Sequence, residues 1–221
     1  MYYTNELRDQ KVGIMSTGDP NIGLFGQPVG DGLSKHEFEC PSTCSLAVNQ
    51  EVTVLREYLH LHETGKRIVN EQIREGEVMR VGSVEHWDFF QNGNAAVQQG
   101  LFTIQPGDGF RTTCYYDDNR GATFGLASAE EMCMAFLYYY PRAGIDLGGF
   151  SFPWMCGYDL GLPGCEASYT GVSLDTDDDL ERQFAATRDD CIATNEEDPD
   201  NSGTPKKLNV DGTAISFEYL S

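Results

Sequence analysis

The chain has 221 residues, 40% of them hydrophobic, and a formal net charge of −20. That charge argues against nucleic acid and anionic membranes as partners, because both would repel it. The apolar run around Met134–Tyr140 stops at Pro141, far short of the ~20 residues a spanning helix needs, so no membrane span is expected.

The opening MYYTNELRDQ is polar and carries acid early. It lacks the basic and apolar regions of a signal peptide. The seven cysteines, Cys40, Cys44, Cys114, Cys133, Cys156, Cys165 and Cys191, contain no CxxC pair, which disfavours a zinc ribbon. They fit disulfides in an oxidising compartment, with at least one thiol left over from an odd count. Secretion or a secretory lumen is therefore the expected location. A piece of a longer precursor reconciles that location with the missing export signal.

Strand signals follow in chain order. Glu51–Leu59 is rich in β-branched and aromatic residues, and Lys66–Asn70, Val78–Val81 and Gly100–Ile104 are short and mostly alternating. Phe110–Tyr116 and Met132–Tyr140 have the same character. TGK, REGE, QNGN, QPGDG and YDDNRGAT punctuate them. Many short strands with close turns predict an all-β antiparallel sandwich. Residues 1–150 form its body. Residues 143–172, Gly-rich and aromatic, predict a long ordered loop pinned by cysteines. The 151–221 region as a whole predicts an irregular acidic extension, with a short helix possible at Asp178–Ala186 and one or two strands in LNVDGTAISFEYL.

His60 and His62 flank one leucine in YLHLHETGK, in a chain with only four histidines. On a strand they share a face, with Cα atoms about 6.5–7 Å apart, and can converge on one ion. Leu59 and Leu61 fill the other face, and Glu63, Thr64 and Gly65 make the turn. Taken alone, such a pair is more often an exposed alternating face. Two ligands hold a metal poorly, so a third is required: His36, His86, an acid or a sulfur. Imidazole or carboxylate would suit zinc, whereas a thioether selects copper. A second segment, SAEEMCMAFLYYYPR, places Met132 between acids and a cysteine, although a Met, Phe and Tyr run at strand spacing is ordinarily core.

Together the segments MYYTNELRDQKVGIM, CPSTC, LHLHETGKRIV, EHWDFFQ, IQPGDGFRTTCYY and GLASAEEMCMAFLYYYP resemble, in order and rough spacing, the C-terminal catalytic domain of the copper type II, ascorbate-dependent monooxygenases. That family includes dopamine β-hydroxylase, its monooxygenase-X relatives and peptidylglycine α-hydroxylating monooxygenase. The resemblance covers about residues 1–142 and fades beyond. It implies a jelly-roll-like sandwich with one copper held by His60, His62 and Met132, where oxygen is activated and a substrate C–H bond is hydroxylated. It further implies a second copper on a separate N-terminal domain, ascorbate as electron source, and a small-molecule substrate with O2. His36 and His86 do not match that second site, so the chain alone is expected to be inactive or weak.

The resemblance also implies a Cys114–Cys133 disulfide that anchors Met132 and removes Cys133 as a thiolate ligand. Cys40 and Cys44 match cysteines that bond partners further on, here two of Cys156, Cys165 and Cys191. Gly148 stands about where the relatives carry a cysteine. Tyr58 occupies the position where the peptide-amidating branch has a carboxylate-holding arginine, which places the chain nearer the dopamine β-hydroxylase branch. Phe136 and Tyr138 are candidate pocket walls with Tyr58, core packing being the other reading. Two competing functions remain. One is a non-catalytic secreted copper-binding or adhesion module on the same sandwich. The other is a calcium-binding role for DTDDD at 175–179, which lacks the spaced ligand loop of an EF-hand.

Overall fold

The computed structural model describes residues 11–48, 50–90, 102–143, 145–147, 150–152, 154–174, 207–208 and 214–215. The DTDDD run, the Asp178–Ala186 helix, Gly148, Cys191 and the opening ten residues lie outside these. The chain divides into two units, Met1–Leu180 and Glu181–Ser221. In the second, the described elements are two short paired strands, Lys207–Leu208 and Ala214–Ile215.

The first unit is built on two five-stranded sheets. In chain order the strands are β1 (Gly13–Gly18), β2 (Gly32–Cys40), β3 (Val52–His60), β4 (Gly65–Arg74), β5 (Glu77–Val84), β6 (Phe102–Ile104), β7 (Gly109–Asp118), β8 (Met134–Tyr140), β9 (Ile145–Leu147), β10 (Phe150–Phe152), β11 (Trp154–Met155) and β12 (Ser168–Ser173), with a short helix α1 at Ser42–Leu46. The first sheet runs β11-β1-β8-β3-β6 and the second β12-β2-β7-β4-β5, while β9 and β10 form a separate hairpin. All pairings within the two sheets are antiparallel except β1 with β11. The expected antiparallel sandwich is the observed one.

Alternation decides what each sheet buries. Phe38, Ile68, Phe110 and Cys114 of the second sheet and Met15, Val54, Leu59 and Leu137 of the first are all essentially inaccessible and belong to one apolar cluster. Burying each large side chain contributes about 1.5–3 kcal/mol. A polar chain crosses this core. The hydroxyls of Thr17 and Thr112 lie 2.9 Å apart, Thr112 donates to Asn70 Oδ1 at 3.0 Å, and Asn70 donates to Glu57 Oε1 at 2.8 Å. The other Glu57 oxygen pairs with Arg80. The Thr17, Asn70, Thr112 and Glu57 side chains are thereby all hydrogen-bonded, as burial requires.

One irregularity fixes what β3 presents. Val54 stands opposite Tyr139 and Arg56 opposite Tyr138, so Leu55 is an extra residue, a β-bulge. Before it, the even positions Val52 and Val54 are buried; after it, the odd positions Glu57 and Leu59 are. A bulge that re-aims side chains in this way is a recurring device beside functional sites. Here it turns Arg56, Tyr58 and His60 onto the outer face.

Residues 143–172, expected as a loop, contribute β11 and β12 as edge strands of the two sheets. Three disulfides staple the unit: Cys40–Cys156, Cys44–Cys165 and Cys114–Cys133. The first closes a separation of 116 residues and the second 121. In the chain-entropy account, loops of that size stabilise by about 4–5 kcal/mol each.

Candidate metal centre

His60 is the last residue of β3, and His62 lies two residues on, in the turn before β4. The strand therefore ends one histidine earlier than alternation suggests. The two imidazoles still converge, with ring centroids 5.0 Å apart and planes at 82°. Leu59 and Leu61 are both fully buried, so the backbone between the histidines is anchored from below. Gly65 makes this possible: a Cβ there would lie 2.6 Å from the Leu61 side chain.

The orientation of His62 is set by its neighbours. Its Nδ1 lies 2.9 Å from the Glu130 carbonyl oxygen. A carbonyl only accepts, so Nδ1 is the donor in this contact and Nε2 is the nitrogen left to ligate, the arrangement common to metal-binding histidines. The Glu131 carboxylate, wholly buried, accepts from the His62 backbone N–H at 3.0 Å and from both the N–H and hydroxyl of Thr64. Burial pushes the Glu131 carboxyl above its ordinary range, against the opposing pull of these donors. Trp87 Nε1–H donates to the His62 carbonyl at 2.9 Å, and its ring meets His60 edge-on.

Met132 sits immediately after this clamp. It is half-buried, and its carbonyl accepts from the Tyr116 hydroxyl at 2.7 Å. Cys133 follows, bonded to Cys114. The Cys133 carbonyl accepts from Asp19 N–H at 2.8 Å. Gly18 lets β1 approach this closely, because a Cβ there would collide with the Cys133 carbonyl, and its φ is 91°. Two residues beyond Met132, Met134 is the register partner of His60. The HLH turn and the EMC segment are thus laced together by backbone and carboxylate, and the disulfide ties the EMC segment to β7.

The residues present fit a soft, incompletely coordinated metal. Among the described residues, no third histidine, cysteine or carboxylate joins His60 and His62. The one convergence of three such groups is Cys40, Cys44 and Cys156, whose sulfurs are in disulfides. His36 is buried elsewhere, its Nε2 on the Val29 carbonyl and its Nδ1 on the Tyr169 hydroxyl, and His86 lies exposed outside any such group. A thioether from the adjoining segment is the donor type that completes such a set.

Tyr58 and Phe136 stand opposite one another in register, with rings 6.0 Å apart and nearly parallel. Tyr58 stacks on His60 at 5.9 Å. Tyr138 is the partner of Arg56 in the next row. All three aromatic residues are half-buried and lie on the face that carries His60. A cavity of about 530 Å3 elsewhere, lined by Glu39, Cys40, Ile73, Glu75 and Glu166 among others, involves none of these residues. The clamp residues Glu131, Thr64, Trp87 and Tyr116 were not singled out by sequence. The doubled acid before Met132 is the one signal that pointed toward them.

A family model described as the copper type II ascorbate-dependent monooxygenase C-terminal domain matches residues 11–149. Tyramine beta-hydroxylase of Caenorhabditis briggsae is 29% identical over 157 residues, 66% of this chain and 26% of that protein. Dopamine beta-hydroxylase of Bos taurus is 30% identical over 154 residues, 66% of this chain and 25% of that protein. DBH-like monooxygenase protein 1 of Gallus gallus is 30% identical over 159 residues, with the same coverage. The chain spans about a quarter of the length of the relatives it matches.

Proposed function

The chain belongs to the copper type II ascorbate-dependent monooxygenase family, and on that premise we propose that it is the oxygen-activating half of such an enzyme, holding one copper through His60, His62 and Met132. The observation that carries this reading is the pairing of His62 Nδ1 with the Glu130 carbonyl, two residues before Met132. One contact orients an imidazole nitrogen outward and ties the histidine turn to the thioether segment.

When bound, copper with ascorbate as reductant supplies the insertion of one O2 oxygen into a substrate C–H bond, the other oxygen leaving as water with two electrons and two protons. The chain's own residues hold and orient. His62 is fixed as the Nδ1–H tautomer, so only Nε2 can ligate. Glu131 holds the turn from beneath, and Cys114–Cys133 with the Tyr116 hydroxyl restrains the backbone on either side of the Met132 sulfur. A thioether favours the reduced metal, the form that must meet oxygen. Tyr58, Phe136 and Tyr138 form an aromatic shelf beside His60 on which a substrate can lie.

A second copper and its electron belong, in this reading, to an N-terminal domain of the same precursor, and the chain alone turns over weakly or not at all. Three disulfides support a secretory location. The test is X-ray absorption on the copper(I)-loaded chain. One copper per chain with a sulfur scatterer is expected, and the sulfur contribution should vanish in Met132→Ile. Copper bound with no sulfur signal in the parent chain would remove Met132 from the site. Absence of stoichiometric copper would remove the reading altogether.

A further inference from the structure

The outer face of the first sheet is aromatic around His60 and, among the described residues of its strands, carries one side-chain charge. Moving away from His60 along β3, the half-buried Tyr58 ring comes first and the Arg56 guanidinium second. The Arg56 guanidinium carbon lies 6.0 Å from the Tyr58 centroid. Across from them on β8 stand Phe136 and Tyr138. Ile14 and Leu55, 45% and 41% exposed, border this surface. Arg56 itself is exposed.

Arg56 differs from the other strand arginines. Arg67, Arg74, Arg80 and Arg111 pair with Glu85, Asp108, Glu57 and Glu71. Among the described residues no carboxylate pairs with Arg56, although the chain has 35 acidic and 15 basic side chains. No acid from β1, β3 or β8 shares its face. A guanidinium is a planar fork that matches a carboxylate through two parallel hydrogen bonds, and stacking on an aromatic ring holds it ready.

We infer that this face selects substrates with a flat, apolar body and an anionic terminus bound by Arg56, rather than an ammonium terminus. The body lies across Tyr58 and Phe136, the carboxylate reaches Arg56, and the other end is delivered to His60. Which end reacts rests on the copper reading above. Two of the relatives are named for amines. An amine placed on this surface would instead meet a like charge, with no acid among the described residues of β1, β3 and β8 on that face to receive it.

The experiment compares two probes of equal length, 4-phenylbutyrate and 4-phenylbutylamine, on the full copper-loaded chain by calorimetric titration. Working at 0.15 M salt, where the screening length is about 8 Å, suppresses the pull of the net negative charge on the amine. The expected result is that the carboxylate binds at least tenfold more tightly, that Arg56→Gln loses at least tenfold in carboxylate affinity, and that Arg56→Lys keeps part of it. Equal or tighter binding of the amine, or an Arg56→Gln variant that binds the carboxylate like the parent, overturns the inference. Copper content is measured on the same samples. Full copper with no carboxylate preference sinks this inference alone. Arg56-dependent carboxylate binding without stoichiometric copper sinks the metal reading and leaves this one standing.

Discussion

The two outer faces of the sandwich are built on opposite plans. The second sheet's outer face is laced with ion pairs: Lys35 with Glu37, Arg67 with Glu85, and Arg111 with Glu71, at 3.0, 2.6 and 2.6 Å. It is a surface made for water. On the first sheet, the Tyr58 ring stacks on His60 and faces Phe136, Tyr138 follows in the next row opposite Arg56, and among the described residues no carboxylate pairs with that cation. An antiparallel sheet can afford one solvated face, and an aromatic face left half-open indicates something to be bound. On the reading proposed above, the difference separates an ion-paired face from one that would meet a ligand.

The largest expected effect that would sharpen this contrast is at the edge of the ligand face. Glu131→Gln replaces two acceptor oxygens by one acceptor and one donor, and the donor meets the N–H groups of His62 and Thr64. Outer-shell losses of this kind cost roughly 10–100-fold in metal affinity. Competition with a copper(I) chelator measures it, and an unchanged affinity would break the claim that the carboxylate orients the turn.

A smaller effect comes from the layer between the faces. Burial holds the His36 imidazole below its ordinary value of 6.5, opposed by its bond to the Val29 carbonyl. A histidine whose folded pKa is depressed binds its proton less readily folded than unfolded. Stability is therefore level above about pH 6.5 and falls as pH drops below the unfolded value toward the folded one, at no more than about 1.4 kcal/mol per pH unit. Urea melts from pH 7 downward should show this slope, and His36→Gln should remove that component. A slope identical in the variant would exclude His36 as its source.

The smallest belongs to the solvated face. Glu71→Ala leaves Arg111 half-exposed in water, and partly exposed pairs contribute about 0–1 kcal/mol. Copper affinity and probe binding should not move. A change in either would mean that the two faces are coupled.

The legibility of the sequence follows the same division. β3, β4, β5, β7 and β8 are visible because β-branched and aromatic residues recur in them. β1 (GIMSTG) is Gly- and Ser-containing, and β2 places polar Ser34 and His36 on its buried side, so neither shows apolar alternation. β12 is an edge strand exposed at almost every position, which leaves no pattern to read. His60, His62 and Met132 stood out through resemblance rather than through chemistry alone. Glu131 did not, because a second acid in a row suggests solvent. Only the three-dimensional clamp on Thr64 and His62 accounts for its burial. The cysteine pairings of Cys40 and Cys44 likewise depend on β11 and the following turn reaching helix α1, which no spacing specifies.

The extra residue at Leu55 makes β3 two half-strands in opposite phase. Positions 52 and 54 answer to the core, while 56, 58 and 60 answer to whatever lies on the aromatic shelf. Substitutions in one half are therefore free of demands made on the other, and the ligand-facing triplet can drift in chemistry without disturbing the upstream packing. The same arrangement makes the strand sensitive to length rather than identity. Removing Leu55 itself would restore plain alternation with Leu59 inward and His60 outward, whereas removing a residue between Arg56 and His60 would send Leu59 to the surface and His60 into the apolar interior. In a lineage of such chains, the count of residues between Arg56 and His60 is the quantity that has to be kept.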